Sequence, residues 1–188
     1  MAKVRNNLLL RGLSGMLGKQ LVFRQVGDDT ILSMAPAKST KPRSPRQLAQ
    51  EEQFGEATRY AQSRAADPLM VARFAALPRK PHTSVHTMLI ADFRCPPTVA
   101  ALDLSHYTGR PGEPLYITAL DNYGVQSVHV RLTAPDGRVV EEGPAQPGSA
   151  PSLWCYLTTA TVATRTGLRV SATATDYPGH TGSREALL

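Results

Sequence analysis

Cysteine is scarce: the 188 residues hold two, Cys95 and Cys155. A disulfide scaffold needs an even set at regular spacing, and a structural zinc site needs clustered Cys and His. Neither pattern exists. His82, His86, His106, His129 and His180 are scattered, with no Glu-His or Cys-His spacing, so the thiols are expected to be free and no metal is expected. Long apolar runs are missing too. Leu8–Leu10 falls far short of the roughly 7–15 residues of a signal-peptide core. No stretch approaches the roughly 18 residues of a membrane-spanning helix. The expected protein is made in the cytoplasm without a signal peptide, has no membrane span, and has a released particle or filament as a further setting.

Catalytic signatures are also lacking. Gly12, Gly15 and Gly18 stand three apart, but the GlyLysSer/Thr ending of a phosphate loop and its strand–loop–helix context do not follow. Close backbone packing or positive φ explains such a trio better. No GlyXaaSerXaaGly elbow marks a serine nucleophile. The expectation is a protein that is not an enzyme and carries no cofactor.

Acids are rare in the first half. None occurs before Asp28, and none lies between Thr30 and Gln50. Residues 1–98 carry 15 Lys/Arg against 7 Asp/Glu, while residues 99–188 carry 6 against 8. A basic half beside a nearly neutral one predicts one part that touches something acidic and a second that is a neutral module.

What is present is strand and turn chemistry. Residues 20–26 and 30–34 alternate around Gly27–Asp29 and read as a β-hairpin. A basic, proline-rich connector follows, with Lys38, Lys41, Arg43 and Arg46. Ser44, Pro45 and Gln47 form a capping-box pattern that starts a helix. Phe54, Ala57, Ala61 and Ala65 fall on one face of it. Asp67 and Pro68 start a second helix carrying Leu69, Phe74 and Leu77, which Pro78 ends. A third helix is expected over Val85 to Phe93.

From Thr98 the period shifts to two. Strands are expected near 98–105, 113–120, 125–133, 138–142, 152–159, 167–175 and 182–187, with ProAspGly (135–137) as one turn. Val128, Val130, Leu132, Trp154, Val170 and Ala172 form the expected core. Two phrases echo each other, ThrAlaLeuAspAsnTyrGlyVal (118–125) and AlaThrAlaThrAspTyrProGly (172–179). Asp121 and Asp176 end strands that point the same way. A Ca²⁺ ion there wants six to eight oxygens, and only Asn122 adds an obvious one. Capping of their own loops is the expected role. The fold class is therefore an α+β N-terminal region, a β-hairpin plus a helical hairpin over 1–97, followed by an all-β immunoglobulin-like sandwich over 98–188.

The run from GlyLeuSerGlyMetLeuGlyLys through ThrIleLeuSerMetAlaPro to SerProArgGlnLeuAlaGlnGluGluGlnPheGlyGluAla, with the later AspLeuSerHisTyrThrGlyArgProGlyGlu and AlaThrAspTyrProGlyHis, resembles small proteins of unassigned function from Bacteroidota and their phage-related regions. The resemblance spans nearly the whole chain, implies an immunoglobulin-like tail, and brings no catalytic residue.

Apolar side chains in the N-terminal arm need cover, and its edge strands present unpaired backbone groups. The expected function is a non-enzymatic subunit that self-assembles into a phage-like particle, tube or extracellular filament, with the immunoglobulin-like domain exposed. Its partners are copies of itself and other particle proteins, met through Leu8, Leu10, Leu13, Leu17, Phe23, Lys38, Lys41, Arg43 and Arg46. The alternative is a nucleic-acid-binding adaptor that uses the basic half.

Overall fold

The computed structural model describes residues 2–4, 10, 12–37, 42–78 and 83–188. The expected contact residues Leu8, Lys38 and Lys41 lie outside them. The chain divides into two compact units, residues 1–51 with 78–84, and residues 52–77 with 85–188.

The first unit is built around a four-stranded antiparallel sheet. Its strands are β1 (Ala2–Val4), β2 (Gly15–Leu17), β3 (Leu21–Val26) and β4 (Asp29–Met34), in the order β1-β4-β3-β2. The hairpin expected over 20–34 is its centre, and two three-residue strands extend it on either side. Gly18 and Lys19 both sit at φ 58°, and the Gln20 N–H donates to the Leu17 carbonyl at 3.2 Å. That is a type I′ turn, whose twist matches the strands it joins. Gly12 and Gly15 also take positive φ, so backbone conformation accounts for the glycine trio. Phe23 and Thr30 are buried. The Thr30 Oγ1 accepts the Gly12 N–H at 3.2 Å and the Gln25 Nε2–H at 2.7 Å, fastening the loop before β2 to the hairpin.

The capping box is reciprocal. The Gln47 N–H donates to Ser44 Oγ at 3.3 Å, and the Ser44 N–H donates to Gln47 Oε1 at 2.9 Å. Helix α1 (Pro45–Arg64) starts there. Helix α2 (Pro68–Ala76) is capped by Asp67, whose Oδ1 accepts from the Leu69 and Met70 N–H groups. Helix α3 spans Val85–Arg94.

In the second unit Ala61, Phe74, Met88 and Leu89 form a cluster, with Tyr60, Met70, Leu77, Val85, Ile90 and Tyr123 around it. The helices bury only part of their apolar residues, and on α1 the buried face is shorter than expected. Leu69 is 83% exposed. Five residues separate it from Phe74, which at about 100° per residue turns it roughly 140° away from the buried stripe. On α1 the covered face begins at Ala57, one turn beyond the half-exposed Phe54, and Ala65 lies past the helix end, exposed.

Eight strands complete the second unit: β5 (Thr98–Asp103), β6 (Pro114–Leu120), β7 (Ser127–Thr133), β8 (Val139–Pro144), β9 (Gln146–Pro147), β10 (Leu153–Leu157), β11 (Arg169–Thr175) and β12 (Thr181–Leu187). They make two antiparallel sheets, β5-β6-β10-β9 and β12-β11-β7-β8. Seven coincide with expected strands. The eighth, β9, is two residues long and too short to show as periodicity.

One core lies between the sheets. Leu115, Ile117 and Ala119 face Val128, Val130 and Leu132, and Val170, Ala172 and Ala174 flank them. Trp154 and Tyr156 are buried beside them. Both flanks are closed. At Ala145, whose N–H donates to the Val128 carbonyl at 2.8 Å, the chain crosses from β8 in one sheet to β9 in the other. On the opposite flank β12 runs parallel to β5: Gly182 abuts Pro97, and Arg184 Nη1 donates to the Ala100 carbonyl. A Cβ on Gly182 would stand 1.9 Å from the Pro97 carbonyl oxygen, so glycine is required there for close approach.

Candidate functional site

Two places in the molecule gather chemistry, and each lies inside one unit. The first is one face of the N-terminal sheet. Register puts Leu17 opposite Leu21 and Leu21 opposite Met34, so the three form a row across β2, β3 and β4. Leu17 is 62% exposed and Met34 84%. Gly15, Phe23 and Leu32 form the next row on the same face. Of the expected contact residues, Leu13 and Leu17 are exposed, Leu10 is half-buried and Phe23 is buried. Arg43 and Arg46 are exposed near the start of α1. Arg43 Nη1 pairs with Glu51 Oε2 at 2.6 Å across exposed surface, which occupies one of the charges offered for an acidic partner.

The second place is the end of the two-sheet body where the echoing phrases turn. Asp121 Oδ2 accepts the Tyr123 and Gly124 N–H groups at 2.8 and 2.9 Å. Asp176 Oδ1 accepts those of Gly179 and His180 at 2.7 and 2.6 Å. Both carboxylates therefore cap their own loops. The resemblance between the phrases is turn geometry.

The loops also hold helices. Asn122 Nδ2 donates to the Ala91 carbonyl on α3 at 3.0 Å. Arg73 on α2 donates through Nη2 to the Tyr123 carbonyl at 3.2 Å and through Nη1 to the Tyr177 hydroxyl, with its guanidinium 3.6 Å from the Tyr177 ring centroid. One arginine thus touches both loops. Phe93 on α3 meets the His180 ring edge-on at 4.8 Å, and Phe74 packs on Tyr123 at 5.4 Å.

His180 Nδ1 lies 3.1 Å from Asp176 Oδ2, and Asp176 is fully buried. A buried carboxylate fixes the ring's orientation, as in other Asp–His pairs. Gln53, Glu56, Phe93, Arg94 and His180 line a shallow cleft of about 260 Å³ beside it. Among the described residues no three His, Cys, Asp or Glu side chains are placed to hold a metal ion. The cysteines are free, Cys95 exposed and Cys155 half-buried. Among the described residues no helix is long and apolar enough to cross a membrane.

Sequence reasoning singled out Asp121 and Asp176 but missed Arg73, Asp92 and Tyr177. Asp92 carried a signal: on α3 it continues the buried stripe of Met88 and Leu89 at i+4 and i+3, a carboxylate where the helix needs an apolar group. Arg73 and Tyr177 carried none, because 104 residues separate them.

No protein-family model matches this chain, and no curated protein does. Among solved structures it is similar to one described as "Crystal structure of tetra-tandem repeat in extending region of large adhesion protein", at 21% identity and a TM-score of 0.33. The match spans 48% of this chain and 22% of that one.

Proposed function

We propose that this chain is a non-enzymatic structural subunit that associates with copies of itself through its N-terminal sheet and presents an immunoglobulin-like sandwich. The observation that carries the reading is the Leu17–Leu21–Met34 row beside the three-residue edge strand β2. Among the described residues β2 stands at the sheet's edge, and exposed apolar side chains beside such an edge suit strand addition, which covers the one and bonds the other. A head-to-tail contact of this kind builds a ring if its rotation closes and a tube or filament if it does not.

The strand order supports the immunoglobulin-like description. The β5-β6-β10-β9 sheet follows the A-B-E-D order of that fold, and β12-β11-β7-β8 follows G-F-C-C′. The polar groups at the helix–loop junction support a structural role, since Asp121 and Asp176 bind the backbone of their own turns.

Light scattering on the full chain across a concentration series tests the assembly. The full chain is expected to form oligomers that persist in high salt, since apolar burial drives them. The double variant Leu17→Glu, Met34→Glu changes two exposed positions and is expected to be a folded monomer. A full-length chain that stays monomeric at high concentration, or a double variant that assembles equally well, defeats the proposal. DNA binding that collapses with salt in a monomeric chain supports the nucleic-acid reading instead.

A further inference from the structure

Asp92 is fully buried, and neither of its carboxylate oxygens has a hydrogen-bond partner. Its neighbours along α3 fix where it sits. Ala91 accepts from Asn122 in the β6–β7 loop, and Phe93 packs on His180 in the β11–β12 loop. Asp92 therefore stands where the helix meets both loops. Other groups nearby are also unsatisfied: Asp121 Oδ1, Arg73 Nε and the Tyr60 hydroxyl are buried without partners.

An ionised carboxylate in such a place is costly, because no donor replaces the water it has lost. A protonated one loses far less. We propose that Asp92 is a proton-operated latch, protonated when α3 is seated on the two loops and releasing that helix when it ionises.

The surrounding charges set the latch near neutrality. Burial, then the Asp121 carboxylate, then that of Asp176 push the Asp92 carboxyl up to about 7, and the Arg73 guanidinium pulls it partly back. From α1, Tyr60 and Arg64 face the same region, and the Tyr60 hydroxyl is itself pushed up by burial and by Asp92. Tyr123 from the β6–β7 loop is pushed up by burial and then by Asp92, and His180 completes the ring from the β11–β12 loop.

A carboxyl raised on folding binds its proton more tightly in the folded chain than in the unfolded one. Its stabilisation is therefore complete at pH values below the unfolded range near 4 and is lost as pH rises through about 7. Between pH 5 and 8.5 that linkage weakens the folding equilibrium roughly a hundredfold.

Denaturant unfolding of the full chain at pH 5 and 8.5 tests this, with Asp92→Asn as a neutral stand-in for the protonated side chain. The wild type is expected to lose about two orders of magnitude in folding constant over that range, and Asp92→Asn to lose far less. Equal losses in both overturn the latch. A ¹³C carboxyl titration of Asp92 decides independently, including the case where Asp92→Asn does not fold. A midpoint near 7 that falls in Asp121→Asn supports the proposal. A midpoint near 4, or one indifferent to Asp121→Asn, overturns it.

Discussion

Two carboxyl groups in this chain have been moved in opposite directions by their surroundings. Glu113 is held down to about 2, first by the Thr108 side-chain hydroxyl and then by the Thr108, Arg110 and Gly109 N–H groups, which all donate to it. Asp92 receives no donor, and burial, then the Asp121 and Asp176 carboxylates, push it up. At the same scale Gly182 shows how little room a close seam leaves. The obstacle to a Cβ there is the Pro97 backbone, which cannot rotate away. Gly182→Ala is therefore expected to cost about 3 kcal/mol or more, at the top of the overpacking range, read as a lower denaturant midpoint. A loss below about 1 kcal/mol means the seam is looser than described.

At the scale of elements, caps and periods did most of the specifying. Asp67 holds two N–H groups at the start of α2, and Asp67→Ala is expected to lower stability by about 1 kcal/mol while Asp67→Ser largely preserves it. Urea unfolding of the two variants compares them directly. Such local chemistry is why the three helices, the central hairpin and seven sandwich strands were legible in the sequence. What was not legible depends on distant pairing. Leu69 lies on the second helix as expected, but its angular spacing from Phe74 turns it to the exposed side. The short flanking strands β1 and β2 have no period of their own, and a neighbour's ladder defines them. The grip of Arg73 on both loops joins residues far apart in the chain, where no pattern links them. Gly182 read as an ordinary strand residue, because its reason for being glycine lies 85 positions earlier.

For the whole molecule, the N-terminal sheet and the two-sheet body belong to separate compact units, and their roles can be separated experimentally. Deleting residues 2–19 removes both outer strands of the N-terminal sheet, β1 and β2, and the exposed Leu17. The truncated chain is expected to be a soluble monomer that keeps the β signature of the second unit in circular dichroism. Assembly undiminished by the deletion would move the contact surface elsewhere.

The parallel seam between β5 and β12 has a consequence for synthesis. It joins the earliest strand of the two-sheet body to the latest, and its contacts, Gly182 to Pro97 and Arg184 to Ala100, span more than eighty residues. A chain still on the ribosome that has not yet released β12 holds β5 with one flank bare and leaves the outer ladder of β11 unpaired. The N-terminal sheet, whose pairings lie within 34 residues, can close long before. Translation therefore delivers the N-terminal sheet already closed while the two-sheet body still waits for its last strand, so the two units are completed at separate times.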